Sequence, residues 1–244
     1  MDYSLHLEKI KQTLVDMMTN GGFPDVVLRN EIRREILSSY FETVVIKDVV
    51  SRYGLRREDK VRSLANFYLS ATASKVTFNS TSKFLKIPVK SVERYSRYLE
   101  NSYLLFFLKE FSTSPKALET SPRKVYAVDN GFLQPFNVSI GRRLETLVAQ
   151  HLYRHALKEH CELFYWSQGK SEVDFVFKGR KVTAIQVAYV LDEKNVKREL
   201  KGFEDFRKMI KVDKELLLTF TNETKVHSTS VYEFLAKDED IDES

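Results

Sequence analysis

Glu145 stands where an apolar residue is expected. A helix opening at Gly141 sets Leu144, Val148, Ala149, Leu152 and Ala156 on one broad face at about 100° per residue, and Glu145 projects inside that face. A buried, unpaired carboxylate costs several kcal/mol, so Glu145 calls for a metal, a cation or a proton. Two later strands carry further oxygen donors. In Glu172-Val173-Asp174-Phe175-Val176-Phe177 the two carboxylates share one face, and in Ala184-Ile185-Gln186-Val187-Ala188 the pair Gln186 and Ala188 shares another. A carboxylate on a helix, a second on a strand and a polar residue on the next strand is the layout of a divalent-metal nuclease site. There two carboxylates hold Mg²⁺ or Mn²⁺ and the metal activates water. The competing expectation is a structural ion pair between Glu145 and a lysine or arginine of the sheet.

A second constellation is basic. Ser80-Thr81-Ser82 opens a short helix through Phe84 and Leu85, Ile87-Pro88 ends it, and a second helix runs from about 89 to 102, so the pattern reads helix, turn, helix. On the second helix Val92, Tyr95, Leu99 and Ser102 follow the buried spacing, and Lys90, Arg94, Arg97 and Asn101 share the opposite stripe. Such a stripe suits DNA phosphates. The segments Tyr103–Leu108 and Lys124–Val128 are expected to pair as a wing, with Lys116, Arg123 and Lys124 as further backbone contacts. A solvated helix face is the plain alternative.

Other chemistry is poorly supported. His151 and His155 are spaced for zinc, but no glutamate of an HExxH pattern lies between them and no third ligand is evident. Tyr165 and Trp166 could stack on a base, although aromatic strand ends in a chain with 12 tyrosines and 17 phenylalanines belong more often to the core. The single cysteine excludes a disulfide framework. Lysine and arginine number 39 against 34 acids, a net charge of +5 that permits a polyanionic partner without requiring one. Neither a membrane span nor a signal peptide can be read, so a cytoplasmic location is expected.

The elements that must hold these residues are marked by sparse punctuation, eight glycines and five prolines. Residues 1–20 read as an amphipathic helix through Leu5, Ile10, Leu14, Met17 and Met18, stopped by Asn20-Gly21-Gly22 and Pro24. Helices are expected over about 30–53 and 58–73. Beyond Ser112-Thr113-Ser114-Pro115 strands near 124–128, 162–166, 172–177, 182–191 and 215–220 alternate with helices over 141–158 and 193–210. The fold class is α+β, with a helical or winged-helix part to about 120, an α/β part over 121–236 and an acidic tail over 237–244.

Several stretches also carry a resemblance: Gly21-Gly22-Phe23-Pro24-Asp25-Val26-Val27, Arg123–Gly131, Gly141–Val148, Ser171–Phe175 and Ile185–Tyr189. In that order, over about residues 20–220, they resemble the C-terminal region of archaeal and bacterial AAA-type ATPases, a winged helix and a PD-(D/E)XK nuclease-like domain behind a P-loop module. The resemblance implies that residues 1–22 match the last helix before the GGFP turn and that residues 23–120 form the helical and winged-helix domain. It implies a restriction-endonuclease-like fold after that, with Glu145 as the helix carboxylate and Asp174 as the metal-binding aspartate. Gln186 and Ala188 stand where an active nuclease has Glu-x-Lys. Ala188 supplies nothing in place of the lysine, a loss of about 10²–10⁴ in rate unless Lys170, Lys178 or Lys181 substitutes. No GxxxxGK[ST] occurs, so no ATP site is expected in this chain and the ATPase is expected upstream or in another gene. The expected function is a DNA-associated module of such an ATPase with a degenerate nuclease-like domain. The alternatives are a Mg²⁺-dependent DNA endonuclease and a protein-interaction module that docks through the first helix.

Overall fold

A computed structural model describes residues 3–236, with side chains from residue 7 onward; the acidic stretch 237–244 and the side chain of Leu5 lie outside the described residues. The chain runs through α1 (Tyr3–Asn20), α2 (Pro24–Leu28), a 3₁₀ turn (Asn30–Ile32) and α3 (Arg33–Glu42), which continues into a π-helical stretch (Thr43–Ser51). There follow α4 (Glu58–Ser70), β1 (Ser74–Val76), α5 (Phe78–Leu85), α6 (Val89–Asn101), β2 (Leu105–Glu110), α7 (Pro115–Thr120), β3 (Arg123–Ala127) and a second 3₁₀ turn (Asn130–Leu133). The rest is α8 (Ile140–Glu159), β4 (Glu162–Gln168), β5 (Ser171–Lys178), β6 (Val182–Leu191), α9 (Val196–Arg207), β7 (Lys214–Asn222), β8 (Thr229–Ser230) and α10 (Val231–Ala236). This is the mixed α+β composition expected. Among the described residues no helix is long and apolar enough to cross a membrane.

Two units divide the chain. A helical unit takes residues 12–107 and 122–146, and an α/β unit takes the others, 1–11, 108–121 and 147–244. This differs from a single cut at 120. β3 lies beyond that point in sequence, yet it pairs antiparallel with β1 through Ser74↔Val125, Lys75↔Lys124 and Val76↔Arg123. The strand therefore carries the chain back into the helical unit.

In that unit α4, α5 and α6 enclose a core of Val61, Leu64, Tyr68, Val92, Leu99 and Val125. Thr77 caps α5 through a reciprocal bond with Ser80, so the helix opens two residues before the expected Ser80; Lys86 ends it in the left-handed region at φ 53°. Behind the two helices the strands run in the order β1-β3-β2. The two segments expected to pair, Tyr103–Leu108 and Lys124–Val128, do lie side by side as β2 and β3. β2 and β3 are internal, largely buried strands rather than a projecting hairpin. Their apolar stretches, Leu105–Leu108 and Val125–Ala127, are continuous, as suits strands covered on both faces.

In the α/β unit β2 pairs parallel with β4, β4–β5 and β5–β6 pair antiparallel, and β6–β7 and β7–β8 pair parallel. α9 lies on β5, where Gly202 permits close approach: a Cβ there would sit 2.1 Å from the Glu172 carbonyl oxygen. The core beneath contains Trp166, Val173, Val176, Phe203 and Phe206.

The turns of the helical unit converge on Asp129. Its Oδ2 accepts from the Gly22 N–H at 2.8 Å and its Oδ1 from the Gly131 N–H at 2.7 Å. Gly21 ends α1 at φ 83°, and a Cβ on it would fall 1.8 Å from Asp129 Oδ1, so both conformation and space require glycine. Asp129→Ala should lower the stability of the protein by about 3 kcal/mol in denaturant titration, and Asp129→Asn, which keeps one acceptor, by about half as much. Equal stability of all three proteins would show that the clasp does not hold the unit together.

Candidate functional site

β3 alternates, so Val125 and Ala127 enter the core of the helical unit while Lys124 and Tyr126 share the other face. Glu145, one turn into α8, meets that face. Its Oε1 accepts from Lys124 Nζ at 2.9 Å and from the Tyr126 hydroxyl at 2.8 Å. Lys124 is only 2% exposed. The structural ion pair is therefore what forms, and two expectations change. Lys124 is withdrawn from phosphate contact because it is buried against Glu145, and Glu145 already faces an ammonium group where a metal would have to sit.

Asp174 and Gln186 meet in the α/β unit. The Asp174 N–H donates to Gln186 Oε1 at 3.0 Å, and Asp174 Oδ2 accepts from the Val187 N–H at 3.0 Å. Gln186 Nε2 donates to the Glu172 carbonyl at 2.6 Å and, more weakly, to the Glu199 carbonyl at 3.4 Å. The amide thus ties β5, β6 and α9 together with both of its ends. This donor set does not fit a hard divalent cation, because the Gln186 oxygen faces a backbone N–H. Among the described residues no group of three His, Cys, Asp or Glu side chains is arranged to hold a metal ion. Ala188 is buried in the apolar core of the unit. Of the lysines that might replace the missing one, Lys178 pairs with Glu162 at 3.0 Å, and Lys170 and Lys181 lie exposed on loops.

Two residues near Asp174 were not singled out from the sequence. Glu199 is buried on α9, and Arg198 Nη2 contacts its Oε1 at 2.5 Å. Burial pushes the Glu199 carboxyl above its ordinary value; Arg198 pulls it down, and Asp174 and Glu172 push it further up. The signal was available, since Glu199 falls between Val196 and Phe203 on the apolar stripe of α9, the same displacement that marked Glu145.

On α6 the sorting of faces follows expectation. Val92, Tyr95 and Leu99 are buried, Ser102 is half-buried, and Lys90, Arg94, Arg97 and Asn101 are all exposed. Ser96 adds to the inner face, with its hydroxyl 2.7 Å from that of buried Tyr68. Arg123 is half-buried with its guanidinium over the Phe78 ring, and Lys116 is exposed on α7 in the other unit. His151 and His155 lie ring against ring at 4.5 Å with Phe234 beside His151, and Trp166 is buried with its indole N–H on Met209 Sδ. Both are packing arrangements.

Comparison with protein families matches residues 11–138 to a domain of unknown function (DUF8612) and residues 140–234 to another (DUF4143). The first match covers more than half of the chain, which therefore belongs to the DUF8612 family. The chain is similar to the uncharacterized protein MJ1544 of Methanocaldococcus jannaschii, 33% identical over 202 residues, 79% of this chain and 45% of that protein. It is also similar to an uncharacterized protein of Haemophilus influenzae, 26% identical over 184 residues, 71% of this chain and 45% of that protein. The chain thus spans less than half the length of these relatives. No solved structure matches.

Lys124→Met should cost about 3–5 kcal/mol, because it strands a buried carboxylate, and adding Glu145→Gln should restore most of that loss in denaturant titration. The raised pKa of Glu199 gives a second expectation. A group whose folded pKa is raised contributes stability below its unfolded value and loses it as pH climbs through the folded one. The thermal midpoint of Glu199→Gln should therefore rise relative to wild type as pH goes from the ordinary carboxylate range to neutrality; a constant difference would place the carboxylate in water.

Proposed function

We propose that this chain is the DNA-associated C-terminal module of an AAA-type ATPase, made of a winged helix and a degenerate PD-(D/E)XK nuclease-like domain that binds without cutting. The observation that carries the reading is α6. Its inner face is fixed in the core, and its outer face presents Lys90, Arg94 and Arg97 in one exposed row. The order α4, β1, α5, α6, β2, β3, with strands arranged β1-β3-β2, supports the winged-helix reading, although β2 and β3 are internal strands. The order α8, β4, β5, β6, α9, β7 supports the nuclease-like fold, because it sets a helix carboxylate, a strand carboxylate and Gln186 in the sequence such a domain uses.

Gln186 and Glu145 speak against cutting. Both groups face protein partners, and Ala188 lacks the charge that would stabilise a developing phosphorane. The greater length of the relatives leaves room for an ATPase domain, which would supply work while this module supplies the address.

Mobility shift with single-stranded, duplex and branched DNA, with and without Mg²⁺ or Mn²⁺, tests the reading. A shift without cleavage is expected, weakening steeply with salt. In Arg94→Ala/Arg97→Ala the slope of log affinity against log salt should fall by about 2, one unit per lost phosphate contact. Cleavage that disappears in Asp174→Ala would make the protein a nuclease instead, and no shift at low salt would end the DNA reading.

A further inference from the structure

Among the described residues of α5 and α6, Phe84 is the most exposed large apolar side chain. It is 71% exposed at the end of α5, next to the turn that leads into α6. One side of the ring meets half-buried Phe67, with centroids 5.4 Å apart and planes tilted by 40°. The rest of its aromatic surface is open to solvent. The segment that carries it is cationic: Lys83, Lys86 and Lys90 are exposed, Arg94 and Arg97 follow as exposed residues of α6, and Glu93 is the single acid between residues 83 and 97.

We propose that Phe84 is a stacking platform for an unpaired base, so that the nucleic acid this module takes has an unstacked or single-stranded end beside a duplex. The inference rests on the DNA-binding reading above and names its substrate class. Charge decides the occupant. An apolar protein partner would have to desolvate five cations against one acid, whereas a polynucleotide brings phosphates for the cations and a π face for the ring. Duplex alone does not explain the site, since paired bases keep their faces hidden and phosphate contacts need no aromatic ring. A forked strand satisfies both, with duplex phosphates along Lys90, Arg94 and Arg97 and the first unpaired base on Phe84.

The test is fluorescence anisotropy of the full chain with a forked DNA and a blunt duplex of the same sequence, using wild type, Phe84→Ala, Phe84→Trp and Arg94→Ala/Arg97→Ala. Phe84→Ala should weaken fork binding by about five- to a hundredfold, the value of one base–aromatic stack, and leave duplex binding unchanged. Phe84→Trp should retain fork binding, and the arginine pair should weaken both substrates. If Phe84→Ala weakens neither substrate, or both alike, while wild type binds and the arginine variant does not, the platform is wrong and the DNA reading stands. If wild type binds neither DNA, both fall, and the ring belongs to a protein partner.

Discussion

The Asp129 carboxylate is the constraint on which the helical unit depends. It gathers backbone N–H groups from Gly22 and Gly131, residues separated by more than a hundred positions, at a point where α1 ends and β3 leaves its ladder. The neighbouring Asn130 amide donates to the carbonyls of Met18 and Arg143, and the Arg143 guanidinium donates to those of Leu133 and Val138. Turns that would otherwise leave polar backbone groups without partners are thus satisfied by one another. Because the same network fixes the entry of α8, it also fixes Glu145 against Lys124 and Tyr126. The Gly-Gly, Asp-Asn-Gly and Gly-Arg-Arg stretches are therefore parts of one joint.

Residue types suited to catalysis serve here as scaffold. Glu145 resembles a metal ligand in sequence, but a buried lysine two positions from Tyr126 on β3 answers its charge more directly than a cation from solvent. Gln186 offers a carbonyl oxygen, yet the strand beside it presents a backbone N–H at bonding distance, and its amide nitrogen donates to the Glu172 carbonyl and, more weakly, to that of Glu199 on α9. In a buried setting a satisfied polar group stabilises and an idle one costs, so each of these groups is bonded within the fold.

The basic helix follows the opposite logic. A helix with one face in a core must show the other to water, and nothing in packing dictates which charges appear there. Lys90, Arg94 and Arg97 on the exposed face of α6, with Phe84 exposed at the end of the preceding helix, is an arrangement that folding does not demand. The apolar side of α1 is different: Leu14 and Met18 are buried and Met17 is half-buried, so from residue 12 onward it offers no bare surface for docking.

Period and punctuation determined most of the elements. The helices near 3–20, 58–70, 89–101 and 140–159 and the strand at 182–191 were legible because their apolar spacing is local, and so were the two faces of α6. Local pattern also marked Glu145 as misplaced, and the same rule applied to α9 would have marked Glu199. Tertiary structure decided the partners. That Lys124 is buried beside Glu145, that β3 returns to the helical unit and that the Gln186 amide clasps three elements all depend on residues brought together from distant parts of the chain. Spacing along a chain fixes which way a side chain points, but only the folded backbone fixes what it meets.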